Sequence, residues 1–186
     1  MNVTTLPRPA NTAADARVAQ AWAALEAVPD PEIPVVSIRD LGILRGISAD
    51  ADGTLEVTIT PTYSGCPAMS QIAEDIGHAL DAAGLAPWRL RTVLAPAWTT
   101  DWITPAARER LREFGIAPPG QCGAPATARP LHFVPRAARA GAPDRVACPR
   151  CGSVHTQEIS RFASTACKAL YRCLDCREPF DYFKPY

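Results

Sequence analysis

Hydrophobic and polar positions alternate most cleanly at residues 54–60, where Leu55, Val57 and Ile59 interleave with Thr54, Glu56, Thr58 and Thr60. A period of two predicts a half-buried strand. Together with the preceding "ILRGISADADG", residues 43–60 read as a hairpin turned by "DADG". On either side the period lengthens. Residues 12–28 are alanine-rich with Val18, Trp22 and Leu25 at helical spacing. From about 67 to 83, Met69, Ile72, Ile76, Ala79 and Ala83 form an apolar stripe that Gly84 is placed to end. "WRLRTVLA" (88–95) predicts a third strand, with Trp88, Leu90 and Leu94 on one face. "TPAARERLREFG" (104–115) has helix grammar at both ends: Thr104 as N-cap, Pro105 in the first turn and Gly115 at the stop.

The resulting order is α-β-β-α-β-α. It predicts an α+β unit over residues 12–116, a small antiparallel-rich sheet with helices on one face. Between the first helix and the hairpin, "PDPEIPVVSIRDLG" (29–42) holds three prolines and reads as a fixed loop. Residues 1–11 read as a disordered N-terminus. Residues 117–143 carry six prolines, three arginines and no acidic group, the composition of a linker. Beyond it, residues 144–186 form a second small unit, with "TQEIS" and "KALYRC" as short strands.

Composition adds limits. Of 186 residues, 47% are hydrophobic and 20% charged, enough for a core. No apolar run approaches the roughly 20 residues of a membrane span. The N-terminus lacks the basic-then-apolar pattern of an export signal, so a cytoplasmic location is expected. Net charge is zero, but residues 1–144 carry an excess of three acidic groups and residues 145–186 an excess of three basic ones. That falls short of the dense, aromatic-studded basic face of a nucleic-acid binder.

Seven cysteines in such a chain point to metal or thiol chemistry rather than a disulfide framework. Cys148 and Cys151 in "CPRC", and Cys173 and Cys176 in "CLDC", are two C-x-x-C pairs separated by residues 152–172, slightly longer than the usual spacing. Two such knuckles supply the tetrahedral sulfur set that zinc accepts. A segment this short has too little core to fold unaided, so the metal would contribute its stability. Iron or an iron–sulfur cluster on the same four thiols is chemically allowed. Four ligands close the shell, which makes the site structural and leaves Cys167 and His155 as spare donors.

Cys66 stands apart from that cage. In "TYSGCP" it precedes Pro67, which suits a first helical position, so Cys66 is expected as N-cap with its sulfur near free N–H groups. Gly65 clears one side, and Tyr63 and Ser64 add donors. Such a thiol could bind a soft metal, attack an electrophile or respond to oxidation; equally, it could only cap or pack. A cysteine-hydrolase reading lacks a base. His78 lies twelve residues along the same helix, about 18 Å by helical rise, and His132 and His155 fall in the linker and tail. Asp30, Glu32 and Asp40 are candidate oxygen ligands or loop-formers. Cys122 is a further thiol in the linker.

Taken together, "DPEIPVVSIRDLGI", the hairpin and "TPTYSGCP" resemble the iron–sulfur cluster-assembly domain of SufT-type proteins and of the eukaryotic cytosolic iron–sulfur targeting factor. The tail, "CPRCGS…SRFASTACKALYRCLDCREPFDYFK", resembles the C-terminal end of the PaaD (PaaJ) family, whose members belong to 1,2-phenylacetyl-CoA epoxidase systems. One departure is "FASTAC", where the family pattern reads "FGSTAC". The resemblance implies an accessory protein to a multicomponent monooxygenase, with a di-iron oxygenase component and a reductase carrying flavin and a [2Fe–2S] cluster as partners. It implies iron or a cluster held transiently at Cys66, shared across a homodimer where one thiol is too few, and a zinc ribbon that docks the client. The residues agree on what is missing: the sequence has no paired Glu-x-x-His motifs and no Gly-rich phosphate loop. The rival readings are a non-catalytic organising component, a zinc-ribbon nucleic-acid binder and a thiol enzyme.

Overall fold

The computed structural model describes residues 12–63, 65–120 and 146–186. The first unit runs α1 (Thr12–Leu25), β1 (Leu44–Ala49), β2 (Leu55–Ile59), α2 (Ala68–Ala82), β3 (Trp88–Thr92) and α3 (Pro105–Phe114), with a single 3-10 turn at Thr100–Trp102 before α3. Its sheet has the order β1-β2-β3, antiparallel at the hairpin and parallel between β2 and β3. The α+β reading and its element order hold. The alternation in β2 does what it predicts: Leu55, Val57 and Ile59 are buried at no more than 1% exposure. On the sheet's other face, Glu56 bridges to Arg89 on β3.

Two details differ from expectation. The third strand ends at Thr92, and Leu94 lies beyond it at 60% exposure, because β2 also ends and leaves nothing to pair. The stripe of α2 is carried by Ala68, Ile72, Ile76 and Leu80, while Ala83 is exposed at the helix end. Leu80 extends the i, i+4 row that starts at Ala68, so it turns inward with it.

The loop between α1 and β1 is fixed by its own backbone. Asp30 N–H donates to Val36 O and Ile38 N–H to Val28 O. At its end Gly42 adopts φ +70°, and a Cβ there would lie 2.6 Å from that of Trp102. Only glycine meets both demands. α3 begins and ends as expected, with Thr104 Oγ1 accepting from Ala107 N–H and Gly115 left-handed at the C-cap.

The second unit is a four-stranded sheet of order β4-β7-β6-β5: β4 (Ile116–Ala117), β5 (Thr156–Ser160), β6 (Lys168–Cys173) and β7 (Pro179–Phe183). Ala117, placed by the sequence at the start of the linker, is instead a strand residue paired in parallel with Tyr182 and nearly fully buried. A strand of two residues has no period to betray it. β4 follows α3 directly, so the first unit contributes an edge strand to the ribbon. The ribbon returns the contact: Cys167 and Phe183 belong to the main hydrophobic core, and Phe183 packs on Trp98 at 6.0 Å between ring centres. The backbone carbonyl of Tyr186 accepts from Thr99 Oγ1 and from Thr100 N–H. The two units are therefore joined by a shared sheet and a shared core. Among the described residues, no helix is long and apolar enough to cross a membrane.

Candidate functional site

The tail cysteines come together as their spacing predicts. The sulfurs of Cys148, Cys151, Cys173 and Cys176 all lie within 4.8 Å of one another. Cys148 Sγ is 3.7 Å from Cys176 Sγ, and Cys151 Sγ is 3.6 Å from Cys173 Sγ. A tetrahedral zinc with bonds of about 2.3 Å requires sulfur–sulfur edges of about 3.8 Å, which the two cross-knuckle edges match. Each knuckle closes by a left-handed residue after its second cysteine, Gly152 at φ +75° and Arg177 at φ +67°. Within the second knuckle the Cys176 N–H donates to Cys173 Sγ and holds that thiol down, at about 7, so it is readily ionised for a metal. His155 stays outside the cage, its Nδ1 3.1 Å from Asp175.

The lone thiol has a different setting. Helix α2 starts at Ala68 with Pro67, already helical at φ −68° and ψ −23°, in the N-cap position. Cys66 therefore sits one residue before the cap, and its carbonyl rather than its sulfur takes the Met69 N–H. That corrects the expected capping role: proline's fixed φ puts Pro67 into the helical region and displaces the cap from Cys66. The sulfur is instead turned against the core, half-buried and not sealed.

Cys66 lines a small, mostly apolar cavity of about 20 Å³ whose walls come from three places. The proline-rich loop gives Asp30 and Glu32, the entrance of α2 gives Cys66, and the ribbon gives Thr165, Cys167 and Phe183. Asp30 is 7% exposed, and its Oδ1 accepts from the N–H groups of Glu32 and Ile33. Burial raises its carboxyl above the usual aspartate range, and those two N–H groups offset only part of that. Cys167 is 9% exposed, with its sulfur 3.0 Å from Thr165 Oγ1. Burial likewise pushes its thiol up, against the pull of Thr165 and of the buried Lys168. The charge on Cys66 also acts on Cys167, and both sulfurs act on the Tyr63 phenol, which burial first and these charges next hold above its ordinary value.

The remaining candidates are elsewhere. Glu32 is exposed at the cavity rim. Asp40 is committed to the scaffold: it accepts from Ser37 N–H and pairs with Arg110, joining the loop to α3. Burial acts to raise its carboxyl, but Ser37 and Arg110 reverse this and leave it low. His78 is exposed on α2. Cys122, His132, Ser64 and residues 1–11 lie outside the described residues. Sequence reasoning missed Lys168, which is 4% exposed and 3.3 Å from Asp181, and the wall made by Phe183.

Two family models match different parts of the chain. Residues 18–85 match the family described as iron–sulfur cluster assembly protein, and residues 133–184 match the PaaD zinc beta ribbon domain. Over 173 residues, 93% of this chain and 96% of the relative, the chain is 50% identical to an Escherichia coli (strain K12) protein provisionally named as the D component of 1,2-phenylacetyl-CoA epoxidase. Shorter relatives cover about half of the chain. An Fe-S protein maturation auxiliary factor of Porphyromonas gingivalis is 34% identical over 50% of this chain and 85% of its own. The factor YitW of Bacillus subtilis, of the same description, is 35% identical over 46% of this chain and 83% of its own.

Proposed function

The chain belongs to the PaaD family of phenylacetyl-CoA epoxidase components, and on that premise we propose that it is an accessory protein which matures the iron–sulfur or di-iron centres of that monooxygenase. It works in the cytoplasm of a phenylacetate-degrading cell, handling iron or a cluster transiently at Cys66. The zinc ribbon docks the client, the reductase or oxygenase component. One observation carries the reading: Cys66 is a half-buried thiol that lines a small cavity, and the buried Asp30 lines the same cavity. The relatives named as Fe-S maturation auxiliary factors support the assignment to assembly rather than oxidation chemistry.

In this reading, zinc holds the ribbon's shape through Cys148, Cys151, Cys173 and Cys176. Cys66 gives up its thiol proton to solvent as the ion arrives and recovers one when the ion leaves. Asp30, fixed by its two backbone donors, lines the same cavity. The test is Cys66→Ser, co-expressed with the reductase and oxygenase components. We expect normal folding and one zinc per chain, with iron content in the client reduced several-fold. Full iron loading of the client by that variant would overturn the role of Cys66 and favour a purely organising component.

A further inference from the structure

We propose that Asp175 is a positioning residue of the four-thiol cage: its carboxylate ties the two knuckles together across the exposed side of the cage and so slows loss of the metal. The proposal rests on the reading of Cys148, Cys151, Cys173 and Cys176 as a zinc site and deepens it by naming what keeps that site shut.

The cage has a closed side and an open one. Cys148 and Cys173 are buried, whereas Cys151 and Cys176 are exposed. A competing ligand from solvent reaches the metal past the exposed pair, and loss of the metal requires those two sulfurs to part. The residues beside them are bonded to each other. Ser153, two positions after Cys151, donates its hydroxyl to Oδ2 of Asp175, the residue just before Cys176. The other carboxylate oxygen, Oδ1, lies 3.1 Å from His155 Nδ1. An ionised carboxylate only accepts, so the imidazole is the donor. The His155 N–H donates in turn to Ser153 Oγ at 3.0 Å. Each of the three residues is thus held by the other two.

This triangle is anchored in the backbone of both knuckles. Ser153 O accepts from Cys148 N–H, and Leu174 N–H, beside Asp175, donates to His155 O. Opening the cage at Cys151 and Cys176 therefore breaks bonds on both sides of the carboxylate together. The Asp175 side chain is 56% exposed, so it is not placed there to fill a core. A single exposed ion pair would contribute little. Here one carboxylate spends both oxygens on donors from the opposite knuckle, which fixes where Cys173 and Cys176 stand relative to Cys148 and Cys151. Asp175 is not itself a ligand and acts on the metal only through the cysteines on either side of it.

The experiment times zinc release from the full zinc-loaded chain into an excess of the chromogenic chelator pyridylazoresorcinol. Asp175→Ala should release zinc about tenfold faster than the native chain, as expected for loss of a group that orients ligands. Ser153→Ala should release it several-fold faster. The double variant should match Asp175→Ala within about twofold, because the two residues share one bond. Release from Asp175→Ala at the native rate, or effects that multiply in the double variant, would overturn the proposal. The ligand-field bands of the Co2+-substituted cage report the arrangement of the sulfurs. They should shift in Asp175→Ala while far-UV circular dichroism stays native; unchanged bands with lost dichroism would make the residue one of general folding and overturn its positioning role. If Asp175→Ala does not fold, Ser153→Ala decides alone, and native release from it overturns the tie. A native chain that carries no zinc would overturn the cage reading and the tie with it, whereas one zinc per chain with unaffected variants overturns the tie alone.

Discussion

At the scale of single residues, the clearest physical tension lies in Asp30. Its carboxyl is raised above the ordinary value of 3.8, mainly by burial, so the folded chain holds that proton more tightly than the unfolded chain does. The associated stability is fully present below the unfolded value and is lost as pH rises through the folded one. At neutral pH the ionised side chain is a net cost, reduced by the Glu32 and Ile33 N–H groups. Asn at this position keeps an acceptor oxygen for both donors and carries no charge. Asp30→Asn should therefore be at least as stable as the native chain near pH 7, with the advantage disappearing below pH ~4. Urea unfolding at several pH values measures it; a variant less stable at pH 7 than at pH 4, relative to the native chain, would contradict this account.

At the scale of elements, local grammar was legible wherever one period or one cap decides the outcome. Thr104, Pro105 and Gly115 mark the ends of α3, and Leu55, Val57 and Ile59 mark β2. The four zinc thiols were equally legible, because a C-x-x-C turn brings its own two sulfurs together without help from elsewhere. β4 and the role of Phe183 were not, since two residues carry no pattern and a buried aromatic does not say whose core it enters. The capping role given to Cys66 failed for a local reason, the helical φ and ψ of Pro67. Convergence of Cys66 with Cys167 depends on how two units dock, which spacing does not encode. Two substitutions probe the elements directly. Gly42→Ala combines a φ of +70° with a clash against Trp102 and should cost about 1–3 kcal/mol in chemical denaturation. Arg177→Gly removes a left-handed non-glycine from the second knuckle and should stabilise the zinc-bound ribbon by about 1 kcal/mol; an unchanged midpoint would mean that the turn stores no strain.

At the scale of the whole molecule, the tail is not a satellite. β4 lends the ribbon an edge, while Phe183 and Cys167 enter the main core. We therefore expect one calorimetric transition for the zinc-loaded chain, shifted down as a unit by chelation. Two well-separated transitions would show that the shared core does not couple the units. Strand β6 carries a further consequence. It runs from Lys168, next to Cys167, to Cys173, so one short segment has a zinc ligand at one end and the cavity thiol at the other. A chain that has not yet acquired zinc would lack the anchor that aims its inner sulfur. Removing zinc from the cage should therefore be felt at the other end of the same strand, so that metal depletion loosens the interior of the first unit as well as the ribbon.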